Sequence, residues 1–458
     1  MNSGVSYRSV GLCIAILAAS AGCSGRGEPA VRSHLDGRIA VSAEIDSTGD
    51  QSGFHVVVSN LRENHIDTLG YALTGADGTF SMQVVASERG VYPLTIRRTG
   101  RVVKQGQLVV ADGYSATMNV ELPSNRPITF RSRENGAWMA YRNTKAAHAN
   151  MIRQLASAGT LDEESMRASV IQTTDVLWGI AGTYPGTMGA GLGRVESVVM
   201  LVGWNDSLAI ERLHDLPDDS PGIGDAVRAG WRAEMRNSGL DSALALIDDY
   251  RLSFDDPAKS EALGAERVIA LIEAGLDDSA RAEAVQLSAS ATVSEWQAWA
   301  ESAIYEMDNL QPGQSAPTFM SQARDGRQFD LAQVGAEYTM LEFYQPGSVE
   351  YQQDLPLRTR LPEIAGPDRL EIVSISLEPD EDLNEAFIDS RDLPGTHIVA
   401  PGGMEGELAN LYNVRTIPKR FLLRNGVIIG KYHGRTLSVL AQDLQRELGN
   451  STSGSQAD

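Results

Sequence analysis

The sequence predicts a multidomain protein of three folded segments: an N-terminal β-sandwich over 35–124, a central array of α-helical hairpin repeats over 133–308, and a C-terminal α/β domain over 312–448. Three observations carry that reading. Short apolar–polar alternations broken by glycine-containing turns fill the first segment. Proline and glycine landmarks recur every 36 residues in the second. In the third, strand-like and helix-like runs alternate.

In the first segment Phe54–Val58, Phe80–Val84 and Leu108–Val110 read as strands, and Asp77-Gly78, Thr99-Gly100 and Asp112-Gly113 read as hairpin turns. The phrase Ala76-Asp77-Gly78-Thr79-Phe80 resembles the turn-and-strand of carboxypeptidase-regulatory-like domains, which are mostly spacers or adhesion modules. No cluster of His, Asp or Glu here has metal-ligand spacing, so the segment is assigned no chemistry.

The central segment is rich in Ala, Leu, Glu and Arg and poor in β-branched runs. Pro185, Pro221 and Pro257 are 36 residues apart, and so are Gly203, Gly239 and Gly275. Proline suits the first turn of a helix, glycine the reversal at its end, and the Asp or Ser that follows each glycine suits the next N-cap. Each unit therefore holds two helices of about 15 residues. The architecture resembles tetratricopeptide-like hairpins, without their full consensus. The glycine-rich stretch 182–193 lacks a Gly-Lys-Ser/Thr ending and a preceding apolar strand, so it is read as the first inter-helix turn and not as a phosphate loop. All six tryptophans lie in this segment and read as packing residues; Trp296 and Trp299 share a helical face that leaves room for a groove.

The third segment reads as strands at Tyr338–Tyr344 and Leu370–Leu377, a hairpin Phe421–Arg424/Val427–Ile429 turning at Asn425-Gly426, a helix around Asp382–Ile388 and a closing helix Thr436–Leu448. A disordered tail is expected over 449–458. Pro312–Phe319, then Asp325-Gly326 and Phe329-Asp330-Leu331, resemble the opening of TlpA-type thioredoxins and redoxins. Phe343-Tyr344 and Leu355-Pro356 keep the spacing that flanks the family's Cys-x-x-Cys. The resemblance puts its two cysteine positions on Ser348 and Tyr351, and the family's cis-proline on Pro418. It also implies that the main chain of Ile417 can pair with an extended peptide. The likeness spans about 140 residues and implies a thioredoxin-like fold.

Its chemistry does not carry over. The chain has two cysteines, Cys13 and Cys23, and neither lies in this segment. Dithiol exchange needs an attacking thiolate and a resolving thiol. A serine at 348 has too high a pKa to attack unaided, and His397 and His433 belong to other elements. The expectation is therefore no catalytic residue, no cofactor and no metal site.

The N-terminus reads as an export signal over 1–22: Arg8, an apolar run from Val10 to Leu17, and small residues leading to Cys23. That run is shorter than the ~20 residues of a membrane-spanning helix. Ser20-Ala21-Gly22-Cys23 resembles a lipobox, which implies lipidation at Cys23, and Ser24 in place of Asp implies the outer membrane. Residues 23–34 read as a tether. A net charge of −21 argues against nucleic acid as a partner. The reading is an exported cell-envelope lipoprotein, facing the periplasm or cell surface, that binds an envelope protein or extended peptide without redox chemistry. The alternative is a member of the thiol–disulfide oxidoreductase family that contributes to envelope redox homeostasis through a partner's cysteines.

Overall fold

The computed structural model describes residues 31–42, 48–62, 65–434 and 436–454. The expected signal segment and the expected lipidation residue Cys23 lie outside them. The chain forms two compact units, up to Met200 and from Leu201 onward.

In the first unit the strands are β1 (Val31–Val41), β2 (Phe54–Arg62), β3 (His65–Leu73), β4 (Thr79–Ala86), β5 (Gly90–Arg98), β6 (Arg101–Val110), β7 (Tyr114–Leu122) and β8 (Phe130–Arg131). They form two four-stranded sheets, β4-β1-β7-β8 and β3-β2-β5-β6. Alternation does the work: every second residue of β4 is buried, so Phe80, Met82 and Val84 enter the same core as Val56, Val58, Leu94 and Ile96 of the other sheet. Val31–His34 belong to β1, so the expected tether is shorter than 23–34.

Only one of the three expected hairpin turns in this segment is a hairpin. Thr99 (φ 50°) and Gly100 (φ 78°) reverse β5 into β6, with Arg98 opposite Arg101. Asp77-Gly78 and Asp112-Gly113 instead carry the chain from one sheet to the other. The dipeptide encodes a local reversal, whereas the buried face of the next strand decides which sheet it joins. At the first of these turns Asp77 Oδ1 accepts from Thr79 N (3.0 Å) and Thr79 Oγ1 (2.7 Å). A Cβ on Gly78 would meet Ile39 O at 2.1 Å.

The helices that follow are α1 (Arg133–Ala158), α2 (Glu163–Thr183) and α3 (Met188–Leu201). Val109 N donates to Asn135 Oδ1 (3.0 Å), and the buried Glu134 accepts from Arg89 and from Met188 N (3.0 Å), which ties α1 to the sheets and to α3. The glycine-rich stretch is a turn and a helix start. A Cβ on Gly189 would meet Ala137 C at 2.4 Å, so the glycine is what lets α3 approach α1.

The second unit opens with α4 (Asp206–His214), α5 (Ile223–Ser238), α6 (Leu240–Ser253), α7 (Pro257–Glu273), α8 (Asp277–Ser290) and α9 (Ser294–Asn309). From α4 onward each helix packs on the next, and α5 also meets α7, as α7 meets α9. The 36-residue landmarks hold locally. Gly203, Gly239 and Gly275 take positive φ after α3, α5 and α7, and Pro185, Pro221 and Pro257 stand at or just before the starts of those same helices.

The remaining elements are β9 (Met320–Gln322), β10 (Gln328–Asp330), β11 (Tyr338–Tyr344), α10 (Val349–Arg358), α11 (Leu361–Ala365), β12 (Leu370–Ser376), α12 (Glu381–Arg391), β13 (Thr396–Val399), α13 (Glu407–Leu411), β14 (Lys419–Arg424), β15 (Val427–His433) and α14 (Leu437–Gly454). Five strands make one sheet in the order β13-β12-β11-β14-β15. β12 runs parallel to both β11 and β13; β14 runs antiparallel to β11 and turns into β15 through Asn425 (φ 51°) and Gly426 (φ 80°). β11 is buried along its whole length, as a central strand covered on both faces must be. Residues 449–454, expected in a disordered tail, belong to α14. No helix among the described residues is long and apolar enough to cross a membrane.

Candidate functional site

β11 ends at Tyr344, and a turn closed by Ser348 N donating to Gln345 O (3.0 Å) starts α10. Ser348 is the N-cap of α10; its Oγ accepts from Tyr351 N (3.3 Å) and donates to Glu350 Oε2 (3.4 Å). Its oxygen is thus engaged as a cap beside an acidic first turn, which is the reverse of what activating a nucleophile requires.

Tyr351, one turn into α10, is wholly buried. Its ring stacks on Tyr344 (centroids 4.3 Å, planes 23° apart) and packs with Leu355, Leu393 and Phe387. Its hydroxyl donates to Glu342 Oε1 (3.3 Å). Glu342 sits in the middle of β11 and is fully buried. It also accepts from Arg358 Nε, from Ser374 Oγ (2.7 Å) and from Arg420 Nε (3.3 Å), while Arg420 Nη1 reaches Asp354 Oδ2 (2.8 Å). Two guanidiniums therefore meet two carboxylates. Burial alone would raise the Glu342 pKa, but Arg358 and Arg420 outweigh it and hold the carboxyl below its usual range. Burial, reinforced by the Glu342 charge, pushes the Tyr351 hydroxyl well up, so it stays a neutral donor. Sequence reasoning missed this cluster, because Glu342 reads only as part of a buried-strand run while its cationic partners come from α10 and β14.

The Ile417–Pro418 peptide is cis. Lys419, the next residue, pairs with Phe343, so Pro418 lies at the same end of β11 that leads into Ser348. Pro418 O accepts from Gly434 N (2.9 Å), and the half-buried Ile417 packs on the sheet core. The residues singled out from the sequence thus fall at one end of the sheet. His397 does not join them: it is on β13, with Nε2 bonded to Leu393 O (2.8 Å). His433 is the last residue of β15.

Beside the cis-proline loop lies a cavity of about 680 Å³ between α7, α9, the 413–416 loop and the β14–β15 hairpin. Glu306 of α9 anchors it. Its Oε2 accepts from Asn413 Nδ2 (2.8 Å) and Lys419 Nζ (3.3 Å), and its Oε1 from Lys431 Nζ (3.0 Å). Burial pushes the Glu306 pKa up, but Lys419 and then Lys431 outweigh that and bring it down to about 2. Burial also lowers the Lys419 ammonium in spite of Glu306. These partners stand more than a hundred residues apart in sequence, and the one signal for them was that two of the chain's five lysines are Lys419 and Lys431. Trp296 and Trp299 both pack against Ala265, Leu287 and Ala300, and Trp299 also lines the cavity.

No family model and no curated protein sequence matches the chain. Solved structures do resemble part of it. A thiol-disulfide oxidoreductase from Bacteroides fragilis is 23% identical, covering 29% of this chain and 99% of its own, with a TM-score of 0.26. StoA from Bacillus subtilis is 23% identical over 28% of this chain and 96% of its own, with a TM-score of 0.25. The thioredoxin domain of a thiol-disulfide oxidoreductase from Bacteroides vulgatus is 16% identical over 30% of this chain and 98% of its own, with a TM-score of 0.27.

Proposed function

We propose that this chain is an exported, lipid-anchored binding module of the cell envelope. In this reading a β-sandwich and a tetratricopeptide-like helical array precede a redoxin-type domain that holds an extended peptide and exchanges no disulfides. The observation that carries it is Tyr351. Where the redoxin pattern has its second thiol, a phenol fills the buried slot, stacks on Tyr344 and donates to Glu342. Ser348, at the position of the first thiol, is engaged as a helix cap. Ile417, two residues before the Lys419 that pairs with Phe343, lies at the β11 end that leads into Ser348, and this placement supports a groove whose edge is its main chain. Hydrogen exchange tests this: a library of unstructured, thiol-free peptides should slow exchange of the Ile417 amide and leave the β5–β6 hairpin unchanged. No protection at 415–418 by any peptide, or reduction of a disulfide substrate by the unmodified chain, refutes it.

A further inference from the structure

Three cations of the cavity beside the cis-proline loop, Arg415, Lys419 and Lys431, meet two carboxylates on its walls, Glu306 and Glu295. This is a local positive excess in a chain whose net charge is −21. Donor accounting sharpens it. Among the described residues Lys431 Nζ donates only to Glu306 Oε1, leaving two of its three N–H groups. Arg415 is held by Nε to Asn413 Oδ1 (3.2 Å) and by Nη2 to Ser302 Oγ (3.0 Å), while its Nη1 donates to no described residue. Lys419 is fixed by Glu306 and Asn413 O (3.0 Å) and sets the potential from below. The rest of the wall is apolar: Ile269 and Ile272 from α7, Trp299 and Met307 from α9. On α9 the lining residues Glu295, Trp299, Ser302 and Glu306 follow helical spacing, so one face of one helix carries both the apolar wall and its charged end.

An apolar trough with unspent N–H donors at one end fits a ligand whose apolar body ends in a carboxylate. Thr416 is part of the same wall, one residue before Ile417. A strand paired with Ile417 would therefore run beside the trough. We infer that the cavity captures the C-terminal carboxylate of a polypeptide whose last residue is large and apolar, with Lys431 and Arg415 as its donors. The inference rests on the peptide-binding reading above.

Isothermal titration of the full chain tests it with an acetylated pentapeptide ending in leucine, its C-terminal amide, and decanoate. The acid should bind at least tenfold more tightly than the amide. Lys431→Gln should remove most of that preference while leaving the amide's affinity in place, and Trp299→Ala should weaken both peptides alike. Glu306→Gln releases donors from both lysines and should tighten the acid severalfold, opposite to the loss a damaged fold produces. Equal binding of acid and amide, no peptide binding, or an unchanged preference in Lys431→Gln overturns the inference, as does decanoate binding where no peptide binds. Protection of Ile417 by internal peptide segments without any acid preference would leave the groove reading standing and remove only this one. Acid preference without protection at Ile417 would instead leave the cavity and remove the groove.

Discussion

Replacing Glu306 by Gln isolates one ion cluster, and its contribution has a definite sign and pH window. The folded-state pKa, about 2, lies below the ordinary value of 4.5. The protein therefore gains stability from this carboxylate at any pH above the unfolded pKa, and loses it as pH falls through 4.5 toward 2. At ~1.4 kcal/mol for each tenfold change in proton affinity, the shift amounts to about 3 kcal/mol at neutral pH. Glu306 is 22% exposed, so water screens part of this, and about 2 kcal/mol is the figure to expect. Urea unfolding of the wild type and of Glu306→Gln, at pH 7, 4 and 2.5, reads it directly. The difference between them should be about 2 kcal/mol at pH 7, shrink by pH 4 and fall to about a quarter of its neutral value at pH 2.5. Other depressed carboxylates, such as Glu337 and Asp308, titrate alike in both proteins and cancel in the difference. A gap that is constant with pH would show that Glu306 acts through packing, and the charge account would fail.

Three further outcomes follow from the same geometry. Ser348→Cys with Tyr351→Cys should form an internal disulfide under mild oxidation, seen as lost thiol titre in a chain that also carries Cys13→Ala and Cys23→Ala; losing the Tyr351 ring should lower stability by about 3 kcal/mol. In the native bacterium Cys23→Ala alone should move the protein from the membrane to the soluble fraction and remove a lipid-sized mass; unchanged attachment refutes the anchor. Gly189→Ala drives a methyl into the α1 backbone and should cost about 1–3 kcal/mol in thermal or urea unfolding; a neutral effect would mean that α3 shifts freely.

What the sequence made legible was local or periodic. Asn425-Gly426 and Thr99-Gly100 encode their own positive-φ reversals, and the 36-residue recurrence registers a helix pair without any knowledge of its neighbours. Ser348, Tyr351 and Pro418 were singled out because they sit at fixed offsets within short phrases. Asp77-Gly78 misled because a turn dipeptide is silent about which sheet the next strand joins. Glu342 and Glu306 were invisible for a different reason. Each is stabilised by cations from other elements, Arg420 and Lys419 among them, and no local pattern announces a charge that is satisfied only after folding. Where the helices divide between the two units was equally hidden, since it depends on bonds such as Asn135 to Val109 and Tyr305 to Leu411 O.

The position of β1 bears on how the chain is made. β1 lies between β4 and β7 and pairs in parallel with β7, Ser33 opposite Tyr114 and Val41 opposite Leu122. The first described strand is therefore completed by the seventh, some eighty residues later in synthesis. Until Tyr114–Leu122 has emerged, β1 has β4 on one side and an open row of N–H and C=O groups on the other. Pairing across that separation raises the contact order of the β segment, which by the general trend slows folding. Before β7 emerges the chain passes through a stage with an unpaired inner edge, when binding by a chaperone or pairing with another nascent copy competes with β7.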